Sequence, residues 1–515
     1  AGSWVDLHPA GAVRSSALSV YAKRQVGQAG FDGEPGTWAG LWWNGTAESW
    51  DPLPLPPGSW AFTSATSIWS DDTTIRIGGY GFNRDTGRSE ALLWEATPST
   101  LCEGELAWDN GIGQPGMDGD SVRAFLGFDG GSGEALYVGG RFATAGGVTV
   151  NGIARWHSDS QTWSPLGGGV GGGSPAVNDL AIFNDGAGNA LYAGGLFTSA
   201  GGVTVNGIAK WNSDTQTWSP LGAGAPATIE LAVYNDGTGE GLYSGGQGSS
   251  RYIGRWDGSE WSTLGEGTNG PVRALAVFED GDGEALFVGG AFTMAGDVPA
   301  SKIARWDGNE WSALGAGVTT DVFALAVYND GNGKALYVGG AFTMAGDVQA
   351  SNIARWDGNE WSALGEGTNF SVWALTVFDD GAGPALYASG EFTEAGGAPA
   401  SKIARWDGNE WSPLGSGMNS TVGALYAFND GNGPGLYAGG GFTQAGGLAA
   451  NRIAVWRCSN CRIDLNSDGD VNTLDFLIFL NWWVAKDPRA DWNGDAEIDT
   501  LDLLAFINDW VAGCP

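Results

Sequence analysis

Two acidic stretches near the C-terminal end carry the residue types and spacing with the clearest chemistry. Asp464, Asn466, Asp468, Gly469, Asp470 and Asp475 form one copy, and Asp491, Asn493, Asp495, Ala496, Glu497 and Asp502 repeat it 27 residues on. Side-chain oxygens at loop positions 1, 3, 5 and 12, with a backbone carbonyl at position 7, are what a hard cation such as Ca²⁺ needs. The sixth position must turn sharply and is normally glycine. Gly469 meets that need and Ala496 departs from it, so the second loop is expected to be the weaker or more strained one.

Each loop runs into a short amphipathic segment, and the two segments match at the same offset. Phe476 pairs with Leu503, Phe479 with Phe506 and Trp483 with Trp510; Leu477, Leu480 and Val484 likewise match Leu504, Ile507 and Val511. Spacings of three and four place most of these residues on one broad helical stripe. Its expected role is packing between two helices that hold the loops side by side.

Residues 462 to 513 resemble a dockerin, the small two-loop calcium module that plugs into a cohesin receptor domain. An ordinary EF-hand has Glu at position 12 and a helix before each loop, and neither is present here. The resemblance implies two Ca²⁺ ions. Asp464, Asn466, Asp468, Asp470 and Asp475 would hold the first, and Asp491, Asn493, Asp495, Glu497 and Asp502 the second, with Asp470 and Glu497 giving carbonyls. It also implies partner recognition through positions 10 and 11, which are Thr473-Leu474 and Thr500-Leu501. Identical pairs in a near-twofold module would allow two docking orientations. The ending Ala-Gly-Cys-Pro is similar to the Gly-Cys tails of secreted planctomycete-type bacterial proteins. On the same resemblance a Cys461–Cys514 bridge would clasp the ends of the module, leaving Cys458 for Cys102. Read without it, Cys458-Ser-Asn-Cys461 has a spacing used in zinc and redox sites, but there is no second such pair and no nearby His.

The rest of the chain is a repeat. The segment from Val272 to Phe292 returns in variant form from Val322, Val372 and Val422, fifty residues apart. One Trp recurs at 43, 94, 156, 211, 256, 306, 356, 406 and 456, and a second at 4, 50, 108, 163, 218, 261, 311, 361 and 411; these account for 18 of the 27 Trp. Each unit reads as four short strands: a (Val-x-Ala-Leu-x-Val-Phe), b (Ala-Leu-Tyr-Val-Gly-Gly), c (Ile-Ala-Arg-Trp) and d (Trp-Ser-x-Leu-Gly). Asp-Gly-x-Gly between a and b suits a hairpin needing positive φ. Four antiparallel strands per unit, each sheet unable to cover both its faces alone, predict a β-propeller.

The last unit has no strand d of its own, and Ser3–Leu7 looks like an orphan one. The expectation is therefore an all-β propeller over residues 1–457 with eight to nine four-stranded blades, the N-terminal strand completing the last blade. A small α-helical, two-calcium-loop domain over 458–515 follows it. Gly-Gly followed by Trp sixteen residues on (Gly290 to Trp306) resembles kelch-type repeats, without their usual intervening Tyr.

Composition narrows the function. A formal charge of −34, with 58 acids against 24 bases, opposes binding to nucleic acid or to an anionic membrane. No run of 18 apolar residues supports membrane insertion. The N-terminus lacks a basic and apolar leader, which fits a cytosolic chain or one whose signal peptide has been removed; the tail favours a secreted, extracellular or cell-surface protein. With His8 and His157 the only histidines, there is no HExxH and no three-His site. No Gly-x-Ser-x-Gly elbow lies between a strand and a helix, and no acid pair stands out by spacing. The expected protein is not an enzyme.

Repeated residues are best explained by folding, so differences between repeats are more informative. The second residue of strand a varies as Arg123, Asn178, Ile229, Arg273, Phe323, Trp373 and Gly423, a position expected to ring one mouth of the axial channel. Either a ligand site or relaxed constraint at a strand end would produce that variation. Trp38, Trp42, Trp60 and Trp69 form a second candidate surface. The hairpin acids Asp185, Asp236, Asp280, Asp330, Asp380 and Asp430 are expected to shape turns rather than to bind Ca²⁺. Together these features predict a non-catalytic binding or structural protein, anchored through its tail to a cohesin-like receptor or extracellular assembly. The alternatives are a fibre in which the tail docks onto the next copy, and a carbohydrate-active enzyme; polysaccharide is a further possible partner.

Overall fold

The computed structural model describes the strands between residues 12 and 96, residues 106–109 and 112, and 116–458 apart from 132, 159, 223–226, 249–251 and 431–432. In the tail it describes positions 476, 479, 480, 482–484, 486, 490, 498, 503 and 506. The chain divides into two compact units, Ala1–Leu101 and Cys102–Pro515.

The fourth blade of the larger unit shows how the repeat folds. Strand a (Val272–Glu279) pairs with b (Glu284–Gly290), b with c (Ile303–Trp306), and c with d (Trp311–Ala313), all antiparallel. The a–b hairpin turns on Gly281 and Gly283, at φ +97° and +112°, where a side chain would be strained. In the c–d turn the Asp307 carboxylate accepts the N–H groups of Asn309 and Glu310 at 2.8 Å. The two Trp of the unit meet across c and d: Trp306 lies opposite Trp311 with ring centroids 5.1 Å apart and tilted 51°. Such a pair contributes about 0.5–1.5 kcal/mol beyond the area it buries.

Seven such sheets are present in this unit. Blades one to six run consecutively from Met117 to Pro413. Neighbouring inner strands adjoin in sequence, and that of the seventh blade (Val422–Asn429) adjoins that of the first (Met117–Asp129). Seven apolar clusters fill the seven junctions, and the one built from Val122, Phe125 and Trp156 with Phe428, Tyr437 and Val455 closes the circle. Burying both faces of every sheet in this way is what a single four-stranded sheet cannot do.

The closing strand corrects the expected topology. The seventh blade takes its strand d from Leu106–Asp109, which pairs with Ile453–Cys458 and sets Trp108 opposite Trp456. That edge was expected to be covered by Ser3–Leu7, which lies outside the described residues. The blade count is corrected with it, since the ring holds seven blades and not eight or nine. Counting Trp cannot assign a sheet to one compact unit rather than the other.

The smaller unit holds the remaining repeats. One sheet orders Ala12–Tyr21, Arg24–Phe31, Trp38–Asn44 and Trp50–Pro52, with Trp43 in register with Trp50. The other orders Trp60–Ser70, Ile75–Asn83 and Arg88–Ala96 and has three strands. Its fourth Trp, by the repeat count, would have been Trp108.

In the tail, Phe479 and Phe506 are fully buried, their rings stacked 4.1 Å apart and 7° from parallel, with Phe476, Trp483 and Leu503 packed around them. The matched apolar positions thus meet as a core.

Candidate functional site

The Gly-Gly that ends strand b creates the geometry of the channel mouth. A Cβ on Gly289 would stand 2.4 Å from Cγ1 of Val322 in the next blade, and one on Gly290 would stand 2.1 Å from the carbonyl oxygen of Pro271. The backbone of strand a can approach this closely only where side chains are missing. There it carries an extra residue: the a–b register skips between Val272 and Ala274, leaving Arg273 as a β-bulge. The same skip leaves out Arg123, Asn178, Ile229, Phe323, Trp373 and Gly423. These are the seven residues whose variation stood out in the sequence. Bulges release a residue from the ladder and re-aim its side chain. All seven inner strands run the same way around the ring, so all seven bulges gather at one mouth.

The bulged side chains touch one another. Arg123 Nη1 donates to Asn178 Oδ1 at 2.8 Å, and Asn178 Nδ2 donates to the Thr228 carbonyl at 2.8 Å. Further round, the Arg273 guanidinium lies 5.4 Å from the centre of the Phe323 ring, and that ring stacks on Trp373 at 5.3 Å and 29°. One arc is therefore polar and the other aromatic. Desolvation, helped by the charge of Arg141, lowers the pKa of Arg123.

One residue beyond the bulge, five blades carry Ala (124, 274, 324, 374 and 424), whereas the second and third carry Asp179 and Glu230. Asp179 Oδ2 accepts the Leu231 N–H at 2.7 Å, joining the two blades. Burial pushes the Asp179 carboxyl up to about 7 against the hydrogen bonds from Leu231 and Leu180. Burial and the charge of Asp179 together hold Glu230 well above the usual carboxylate range. Sequence spacing did not single out this pair. Its signal was legible only column by column, as two acids where the repeat has Ala.

The hairpin acids lie away from this mouth, at the far end of strand a. Arg305 Nε is 2.8 Å from Asp280 Oδ2, Arg405 Nε is 3.1 Å from Asp380 Oδ2, and Arg457 makes a two-pronged contact with Asp430 at 2.8 and 2.9 Å. Asp185 pairs with Lys210, and Asp236 with Arg255. Tyr192, Tyr243 and Tyr387 donate hydroxyls to Asp185, Asp236 and Asp380 in turn. Each carboxylate is committed to a strand-c cation, which explains the Arg of the Ile-Ala-Arg-Trp motif and leaves little oxygen for a metal. Among the described residues no group of three or more His, Cys, Asp or Glu is placed to hold a metal ion.

The sequence-derived ligands Asp464, Asn466, Asp468, Asp470, Asp475, Asp491, Asn493, Asp495, Glu497 and Asp502 lie outside the described residues. So do Thr473, Leu474, Thr500, Leu501, Cys461 and Cys514. Trp38, Trp42, Trp60 and Trp69 fall on strands of the smaller unit. Among the described residues no helix is long and apolar enough to cross a membrane.

These features define a seven-bladed β-propeller with a variable bulge ring at one mouth. Residues 116–279 and again 262–425 match the family described as the Rax2 C-terminal beta propeller domain. The two matches together span more than half of the chain, which belongs to that family. No curated protein matches it. Among solved structures, a Pyrococcus horikoshii acylaminoacyl peptidase is similar over 74% of this chain and 58% of its own, with 12% identity and a TM-score of 0.31. The chain thus spans little more than half the length of that peptidase.

Proposed function

We propose that this protein is a non-catalytic extracellular binding platform whose propeller presents the bulge ring and whose tail is a calcium-dependent, dockerin-like anchor. The observation that carries the first half is the bulge ring. Seven equivalent positions, freed from the hydrogen-bond ladder and gathered at one mouth, hold six different residue types, while the surrounding framework repeats closely. Selection for folding explains the framework; a binding surface explains the variation it supports. The second half rests on the duplicated D-x-N-x-D loops at residues 464–475 and 491–502, and on the Phe479–Phe506 stack between the segments that follow them. The tail would bind two Ca²⁺ and dock through Thr473, Leu474, Thr500 and Leu501 onto a cohesin-like protein.

Deleting residues 458–515 tests the division of labour. The truncated chain should lose attachment to the cell surface or assembly and keep a cooperative melt. Attachment that survives the deletion sinks the anchor. Sedimentation with Ca²⁺ and with chelator addresses the fibre alternative, in which the tail docks onto a neighbouring copy and calcium alone drives growth.

One observation favours a second reading, a carbohydrate-active enzyme. Asp179 and Glu230 occupy equivalent positions on neighbouring inner strands beside the mouth, both held above the usual carboxylate range, and such pairs serve acid–base chemistry. Turnover of a polysaccharide that disappears in both Asp179→Asn and Glu230→Gln would establish this reading over the first.

A further inference from the structure

Phe370 and Trp373 are the only Phe or Trp side chains strongly exposed among the described residues, at 58% and 42%. They lie three residues apart, in the loop that enters the inner strand of the sixth blade and on its bulge. The other described Phe and Trp rings are buried or half-buried, so this exposure is concentrated rather than scattered. Trp373 stacks on Phe323, 29° from parallel, so each ring covers one face of the other and the exposed Trp373 ring supplies a shelf rather than a groove. At the outer end of the shelf the next ring member is Gly423, where an added Cβ would meet nothing within 4 Å. The ring position next to the shelf is therefore open.

The inner end of the shelf is polar. Arg273 lies against the Phe323 face and also sits 3.4 Å from Asp321, with side chains about a third exposed, 36% and 33%. A guanidinium and a carboxylate side by side offer planar donors and acceptors together. Vicinal hydroxyls, each of which both donates and accepts, are the matching chemistry. The C–H face of a pyranose ring matches the flat aromatic surface, which attracts weakly positive hydrogens through its quadrupole. The Arg273–Asp321 pair is neutral, and a chain of net charge −34 repels polyanions at long range. A peptide is the poorer fit, because a polyproline ligand docks in aromatic-lined grooves rather than on one open shelf.

We infer that the arc Arg273–Phe323–Trp373, with the gap at Gly423, is a binding site for a pyranose ring of a neutral polysaccharide. This deepens the platform reading above and rests on it. The test is affinity electrophoresis of the full-length protein through gels containing neutral glucans, mannans, xylans or galactans, with acidic pectin and alginate as separate arms. At least one neutral polymer should retard the wild type. Trp373→Ala and Gly423→Trp, which removes the shelf or fills its open end, should each weaken retardation at least tenfold. Asp321→Ala should weaken it several-fold, and Leu448→Ala, a change at an exposed apolar residue on a short strand of the seventh repeat, less than twofold. Thermal melts of all variants exclude unfolding as the cause.

Three results overturn the inference: no retardation by any neutral polymer, retardation by acidic polymers alone, or retardation indifferent to Trp373→Ala and Gly423→Trp. If the indifferent case is abolished by Arg123→Ala, the mouth still binds but on its polar arc. The platform reading then survives while this one fails. Degradation of the polymer in the gel would count against the non-catalytic reading itself.

Discussion

Trp108 donates its indole N–H to the carbonyl of Leu414, 3.1 Å away and 306 residues further along the chain. The same bond recurs at the five junctions from blades one and two to blades five and six, as in Trp311 to Leu264 at 2.9 Å and Trp361 to Leu314 at 3.1 Å. In those junctions the donor and acceptor lie within about one repeat of each other. Only at Trp108 does the bond join the start of the ring to its end, and there it acts with the 5.3 Å contact between Trp108 and Trp456 as a clasp.

Trp108→Ala is expected to cost roughly 3–5 kcal/mol, the usual range for losing a buried large aromatic side chain. It should also raise the rate of unfolding, because an opened ring exposes an edge strand. Removing residues 1–101 should leave the melt of the larger unit intact, whereas removing 1–111 should not. A cooperative, undiminished melt after the longer deletion would contradict closure by Leu106–Asp109.

The acid pair makes a pH prediction with a definite sign. An unfolded Asp loses its proton near 3.8, whereas Asp179 in the fold keeps it until about 7. Between those values the unfolded chain holds fewer protons than the folded one, so the pair's contribution to stability falls as pH rises. The double variant Asp179→Asn, Glu230→Gln should therefore be little changed at pH 4 and more stable than wild type at pH 8, by roughly 1–2 kcal/mol. Melting curves at both pH values check this; an equal difference at the two would remove the carboxyl pair as the cause.

In the sixth blade Asp380, nearly buried, receives both Arg405 and the Tyr387 hydroxyl. Arg405→Met should cost about 3 kcal/mol by leaving a buried charge without its partner. Adding Asp380→Asn should recover part of that loss, so the double variant is less damaging than the sum of its parts. Additive losses in a denaturant series would show that the two residues act separately.

The tail should bind two calcium ions of unequal affinity in a calorimetric titration. Asp464→Ala is expected to abolish one binding event, and Ala496→Gly to tighten the weaker one by relieving its turn. A chelator should lower the stability of the tail without moving the melt of the ring. Binding of fewer than two ions by the wild type would refute the two-site assignment.

Much of this architecture was legible from periodicity. Alternating apolar positions, Gly pairs and the two Trp series determined the four-stranded unit, its turns and its membership in a propeller. The same residues recur because every blade solves the same packing problem. The duplicated acidic loops were equally plain in the sequence but lie outside the described residues; of the matched apolar positions that follow them, Phe479 and Phe506 stack. The acid pair was less visible, because Asp179 and Glu230 are 51 residues apart and meet only when neighbouring inner strands converge.

Ring size and closure were decided by tertiary structure alone. Every strand d is marked by the same Trp, and that Trp does not say whether Trp108 completes the sheet before it or the one that ends at Trp456. That choice depends on how many sheets enclose the axis, a property of the circle of inter-blade contacts rather than of any repeat. The bulge ring has the same origin. The sequence showed six residue types at one position of seven repeats, and only the register of strand a against the end of strand b brought them together at one mouth.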